Sequence, residues 1–209
     1  MAMEVIALPA IVLHLSVGQA TALFVKKHYT KVLTNLNSFK SKNFRLALEE
    51  SFMKIDDLMQ TDSGKKELGP EDASGCTATV ALITPTEIYC CNAGDSRTVL
   101  SKGKSAIELS VDHKPSLPEE QRRIYNANGY VEDNRVDGVL ALSRALGDFD
   151  YKKNPSCSAK DQKVTAFPEI KSMQMTNDCE FLILACDGIW DVMSSQVAVD
   201  WIHKNMYNN

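Results

Sequence analysis

Glu180-Phe181-Leu182-Ile183-Leu184-Ala185-Cys186-Asp187-Gly188-Ile189-Trp190-Asp191 carries the strongest signal in the chain. Its first half is an apolar run of strand length, which predicts a buried strand. Its second half puts two acids on a glycine-opened turn where that strand stops. Carboxylates at the rim of a sheet suit a hard cation, which takes oxygen ligands, or a phosphate-bearing site. Two further acidic turns, Gly94-Asp95-Ser96-Arg97 and Gly147-Asp148, repeat the pattern.

The chain has 209 residues, enough for one domain with a sizeable core. Apolar residues make up 44% and charged residues 24%, and the formal net charge is -4. That balance, with no Lys/Arg stripe and no phosphate-cradling glycine loop, argues against a nucleic-acid partner. The apolar stretch Val5 to Val17 is too short for a membrane helix, and Met1 to Glu4 supply no basic flank for a signal peptide. It reads as a buried strand or a misread N-terminus. The six cysteines include no Cys-x-x-Cys pair and read as reduced, buried thiols of a cytoplasmic or nuclear protein. Cys90 and Cys91 are adjacent and should face opposite sides of a strand.

Helical spacing predicts helices over Ala20 to Leu36 and Asn43 to Gln60, the second with Phe44, Leu48, Phe52, Ile55 and Met59 inward. Glu49, Glu50, Asp56 and Asp57 are expected on its solvent side. Thr61 to Ser74 reads as a mobile loop. Thr77 to Ile83, Glu87 to Asn92, Arg97 to Lys102 and Ala106 to Leu109 predict a four-stranded antiparallel meander. Ser116 is the expected cap of a helix ending near Gly129, and Val139 to Leu142 a further strand. Asp150 to Lys163 is polar and irregular. A last helix, capped by Ser194 or Ser195, should bury Val197, Ala198, Trp201 and Ile202. The fold class is therefore α+β in layers.

Six short motifs resemble, in order, those of the metal-dependent protein serine/threonine phosphatases of the PPM (type 2C) family. They are Gly75-Cys76-Thr77-Ala78, Gly94-Asp95-Ser96-Arg97, Asp112-His113-Lys114-Pro115, Ser143-Arg144-Ala145-Leu146-Gly147-Asp148, Phe167-Pro168-Glu169-Ile170 and Ala185-Cys186-Asp187-Gly188-Ile189-Trp190-Asp191. The resemblance implies an αββα sandwich of two antiparallel sheets flanked by helices. It implies two Mg2+ or Mn2+ ions at one end, which activate water against phosphoserine or phosphothreonine in proteins. Asp187 matches a direct metal ligand of the family. Asp191 and Asp112 resemble the acids of its weaker third metal site. Asp95 and His113 read as structural residues.

Elsewhere the chain departs from the family pattern. The family's Asp-Gly-His-Gly-Gly metal motif falls on His14-Leu15-Ser16-Val17-Gly18, so His14 stands where the metal-bridging Asp is expected. The family's upstream phosphate-binding Arg has no counterpart before Arg45, and its downstream Asp-Asn motif does not occur. The resemblance thus implies an impaired enzyme with a partial domain, expected to be monomeric, prone to aggregation and without a membrane partner. A truncated or misassembled reading frame is the favoured origin. The alternative is a catalytically inactive pseudophosphatase that acts as a protein-binding scaffold or decoy.

Overall fold

A computed structural model describes residues 10–16, 18–69 and 74–206. In chain order the elements are β1 (Ala10–Ser16), α1 (Gln19–Asn35), α2 (Asn37–Lys40), α3 (Phe44–Gln60), α4 (Asp62–Leu68), β2 (Thr77–Ile83), β3 (Glu87–Ala93), β4 (Arg97–Lys102) and β5 (Ser105–Glu108). There follow α5 (Pro118–Asn126), β6 (Val131–Glu132), β7 (Arg135–Val136), β8 (Glu169–Gln174), β9 (Cys179–Ala185), α6 (Asp187–Trp190) and α7 (Ser195–Met206). One antiparallel sheet has the order β1-β2-β3-β8 and a second has β5-β4-β9, with β6-β7 a separate hairpin. Helices cover both sheets, so the layered α+β sandwich is observed.

The alternation of β2 builds two interfaces at once. Ala78, Val80 and Leu82 join the core under α1 and α3, where Phe24, Tyr29, Leu48, Phe52 and Ile55 are also buried. Thr77 and Thr79 face the other way and bond across the sandwich to Ser96 and Thr98, at 2.8 and 2.7 Å. Cys91 lies in the helix-side core and Cys90 in a second cluster, as the period of two requires. All six cysteines are free, but only Cys76, Cys90 and Cys91 are buried.

The predicted meander is two hairpins, not one. β2 pairs with β3 and β4 pairs with β5, but β3 and β4 belong to different sheets. The chain crosses the sandwich at Gly94-Asp95-Ser96, where Gly94 adopts φ 113° and lies against Thr77. Turn residues alone do not tell a hairpin from a crossover.

Other elements differ from the sequence reading for local reasons. Thr61 to Ser74 is not all loop: Thr61 caps α4 by accepting from the Gly64 N–H at 3.1 Å. A short α2 follows α1. Leu117, not Ser116, is the cap of α5, and Asn128 rather than Gly129 takes the left-handed conformation behind it. No strand forms over 139–142; Leu140 only bridges to Val136. Ser194 caps α7 through the Val197 N–H at 3.3 Å, yet α7 buries Ser195, Ala198 and Val199 and leaves Val197 and Trp201 out. β1 and β9 are half-buried rather than buried, because each is the edge of its sheet. Val5 to Pro9 and Val17 of the apolar stretch lie outside the described residues. No described helix is long and apolar enough to cross a membrane.

Candidate metal site at the end of β9

β9 delivers Ala185 opposite Arg97, the first residue of β4. The chain then turns through α6, and the buried Trp190 pins the turn by donating its indole N–H to the Ala185 carbonyl at 2.7 Å. Asp187 and Asp191 sit four residues apart across that helical turn, which places them on one face. Asp187 is half-buried and accepts from the Gly188 N–H at 2.8 Å, whereas Asp191 is exposed.

Arg97 organises the surroundings. Its Nε and Nη2 donate to Oδ1 and Oδ2 of Asp112 at 2.9 and 2.8 Å, a two-pronged pair. Its Nη1 reaches Glu108 at 3.2 Å and Ser195 Oγ at 3.1 Å, and the guanidinium lies 5.3 Å from the Trp190 ring centre. The Asp112 bonds, with the charges of Asp112, Glu108 and Asp191, raise the Arg97 pKa although burial opposes them. Asp112, Asp191 and Arg97 therefore share one corner, but both Asp112 oxygens are engaged.

These residues do not make a complete site for the family's cations. Among the described residues no three His, Cys, Asp or Glu side chains converge as a metal would require. Two carboxylates on one helical turn leave most of the octahedral shell of Mg2+ or Mn2+ to water. His14 points from β1 toward the sandwich interior beside Thr79, its Nε2 buried without a partner. Burial lowers its pKa, so it sits there as a neutral imidazole. Imidazole is a poor match for Mg2+.

The other motif residues hold one another. Asp95 pairs with Lys114 at 2.5 Å, and Gly94 exchanges backbone and ring bonds with His113. His113 is buried, and burial followed by the Arg144 charge lowers its pKa to about 3, so it is a neutral strut rather than a base. Cys76 and Leu146 exchange backbone bonds at 2.8 and 2.9 Å, and Gly75 is so close to Asp148 that a Cβ would lie 2.1 Å from its Oδ2. Burial raises the Asp148 pKa to about 6 against the pull of Lys152 and the Gly75 N–H.

Two buried acids were not expected from the sequence. Glu120 takes bonds from Arg144 at 2.6 Å, Arg123 at 2.7 Å and Ser143 at 2.7 Å. Burial pushes its pKa up, but Arg144, Arg123 and Ser143 together bring it down to about 2. Asp56 is buried, accepts from the Gly147 N–H at 2.7 Å and pairs with Lys152 at 2.8 Å, which corrects its assignment to the solvent side. The signal was available: Asp56 follows Phe52 by four and precedes Met59 by three, inside the apolar stripe.

Two stacked antiparallel sheets with outer helices, and an acidic turn where one strand ends, define an α+β sandwich of the kind the sequence motifs led one to expect. The model of the protein phosphatase 2C family matches residues 11–209, and the chain belongs to that family. The match begins within β1, upstream of Gly18, where recognisable motif residues start. Protein phosphatase 2C 1 of Paramecium tetraurelia is 42% identical over 196 residues, covering 90% of this chain and 65% of the relative. Protein phosphatase 2C homolog 2 of Schizosaccharomyces pombe is 45% identical over 190 residues, covering 90% and 50%. A crystal structure of a phosphatase from Toxoplasma gondii superposes with a TM-score of 0.77 at 27% identity, over 94% of this chain and 73% of that one. The chain thus spans two thirds or less of the length of these curated relatives.

Proposed function

We propose that this chain forms a phosphatase 2C-type domain, with His14-Leu15-Ser16-Val17-Gly18 in place of the N-terminal metal motif, whose chemistry is metal-dependent hydrolysis of phosphoserine and phosphothreonine in proteins. On this reading the chain as it stands is impaired. The family match across 11–209, which contains the Asp187–Asp191 turn, carries the proposal. The ligands proposed for a Mg2+ or Mn2+ ion are Asp187, Asp191 and Asp112, with Asp112 available only once Arg97 releases it. Arg97 and Trp190 hold the turn in place, and no catalytic step is assigned to a residue of this chain.

The test is Mn2+ titration by calorimetry beside hydrolysis of a phosphothreonine peptide. Millimolar binding that Asp187→Asn abolishes, with turnover at background, is expected. Micromolar binding with ready turnover would overturn the impairment, and binding indifferent to Asp187→Asn would overturn the site. A second reading, a catalytically inactive binding module, is favoured by the Arg97 pair that occupies both Asp112 oxygens.

A further inference from the structure

The outer face of the helical layer carries a groove that the acidic turn does not touch. One lobe is a cavity of about 510 Å3 between α1, α3 and α4, floored by Phe24, Val32 and Leu58 and rimmed by Lys31 and Lys54. A second lobe of about 540 Å3 runs along α2 and α3, floored by Leu46, Met53 and Phe167 and rimmed by Glu49, Glu50 and Asp57. Leu36 and Lys54 line both, so the lobes abut. The packing that shapes the first lobe is close. Gly64 of α4 lies so near the end of α3 that a Cβ would come within 2.2 Å of the Leu58 carbonyl oxygen.

The charges on the rims are largely uncompensated. Lys31 and Lys54 form no ion pair among the described residues, and neither do Glu49, Glu50 and Asp57. Glu50 accepts one hydrogen bond, from Ser38. Glu67, the acid of the first lobe, is already shared by Lys27 at 2.7 Å and His28 at 3.1 Å. The first lobe is therefore apolar with Lys31 on its rim, its neighbour is apolar with Glu49, Glu50 and Asp57, and Lys54 stands where the two meet.

We propose that this groove docks a linear segment of a partner protein that is acidic at one end, apolar in the middle and basic at the other. Charge complementarity selects that occupant. A polyanion such as RNA or an anionic membrane would meet Glu49, Glu50 and Asp57 beside Lys54, and a uniformly basic segment would meet Lys31 and Lys54. The lobes each take a few side chains, the scale of amphipathic segments in grooves rather than of a folded domain. Opposed charges set register and orientation, and the apolar floor supplies the buried area.

The probe is a fluorescein-labelled peptide of about twelve residues, with two Glu at one end, Phe and Leu in the middle and two Lys at the other. The controls are peptides of the same length and apolar middle with Glu at both ends or Lys at both ends, because the mixed peptide fits the groove in either chain direction. Fluorescence anisotropy is read in EDTA, so the outcome is independent of the metal site. Binding of the mixed peptide in the micromolar range is expected, at least tenfold tighter than either control. K31E/K54E should weaken the mixed peptide at least tenfold and turn the preference toward the peptide with Lys at both ends; circular dichroism and urea curves report whether each variant is folded. Equal affinity for all three peptides, no binding at millimolar peptide, or tighter binding to anionic vesicles than to the peptide would overturn the proposal.

Discussion

β2 and β9 are both seven-residue strands of mainly apolar sequence, yet they end in different surroundings. β2 is the second strand of four, with α1 and α3 on one face and β4 on the other, and six of its residues are buried. β9 is the edge of three, and only Ala185 is fully buried. A cleft of about 300 Å3, lined by Val12, Ile88, Leu100, Leu182 and Leu184 among others, opens between the inner faces of β1 and β9. Apolarity predicts that a strand seeks cover; only its neighbours decide how much it finds.

The comparison can be broken most directly by truncating one side chain on each side. Phe52→Ala, in the closed half, should cost about 3–5 kcal/mol of stability in urea unfolding. Leu184→Ala, in the open half, should cost well under half of that; equal costs would mean the cleft is closed in solution.

A middle-sized effect belongs to Arg97, which joins β4, the Asp112 loop and α7. Arg97→Ala should destabilise by about 2 kcal/mol, since charged hydrogen bonds are lost at a half-buried site. The same change frees Asp112, so Mn2+ affinity at the acidic turn should rise in calorimetry; an unchanged affinity would remove Asp112 from the proposed ligands. His14→Asp should raise Mn2+ affinity at least tenfold if His14 occupies the metal position. Unchanged binding would mean that β1 contributes nothing there.

Other effects follow pH. The folded pKa of Asp148, about 6, lies above its unfolded value. Its contribution is fully present below about pH 4 and is lost as pH rises through 6. Asp148→Asn should therefore stabilise the protein at pH 7, by at most about 3 kcal/mol, and the gain should vanish near pH 4 in thermal melts. Glu120 has the opposite sign. Its folded pKa of about 2 lies below the ordinary glutamate value of 4.5, so its contribution holds above pH 4.5 and disappears as pH falls toward 2.

Much of the architecture is legible in the residues because local periodicity is strong there. The stripe of α3 and the runs of β2 and β4 fix those elements within a residue or so. The six motifs fix the family because each spacing recurs in order. What they do is less visible in sequence: Arg97 with Asp112, Gly75 with Asp148, and Arg144 with the Phe167 carbonyl at 3.1 Å bind motif to motif across long chain separations. Asp112 is the clearest case, since its type suggests a ligand and its partner is a guanidinium.

The sequence by itself determined β2, β3, β4 and β9, the main helices, the family and the acidic turn that follows β9, because these depend on residue type and short spacing. The tertiary structure decided that the four predicted strands split between two sheets and that Asp56 and Glu120 are buried counter-ions. It also decided that Val197 and Trp201 face outward and that β9 stays half-covered. Each of these depends on which distant segment lies opposite a side chain, and that proximity is a property of the folded chain rather than of any window of sequence.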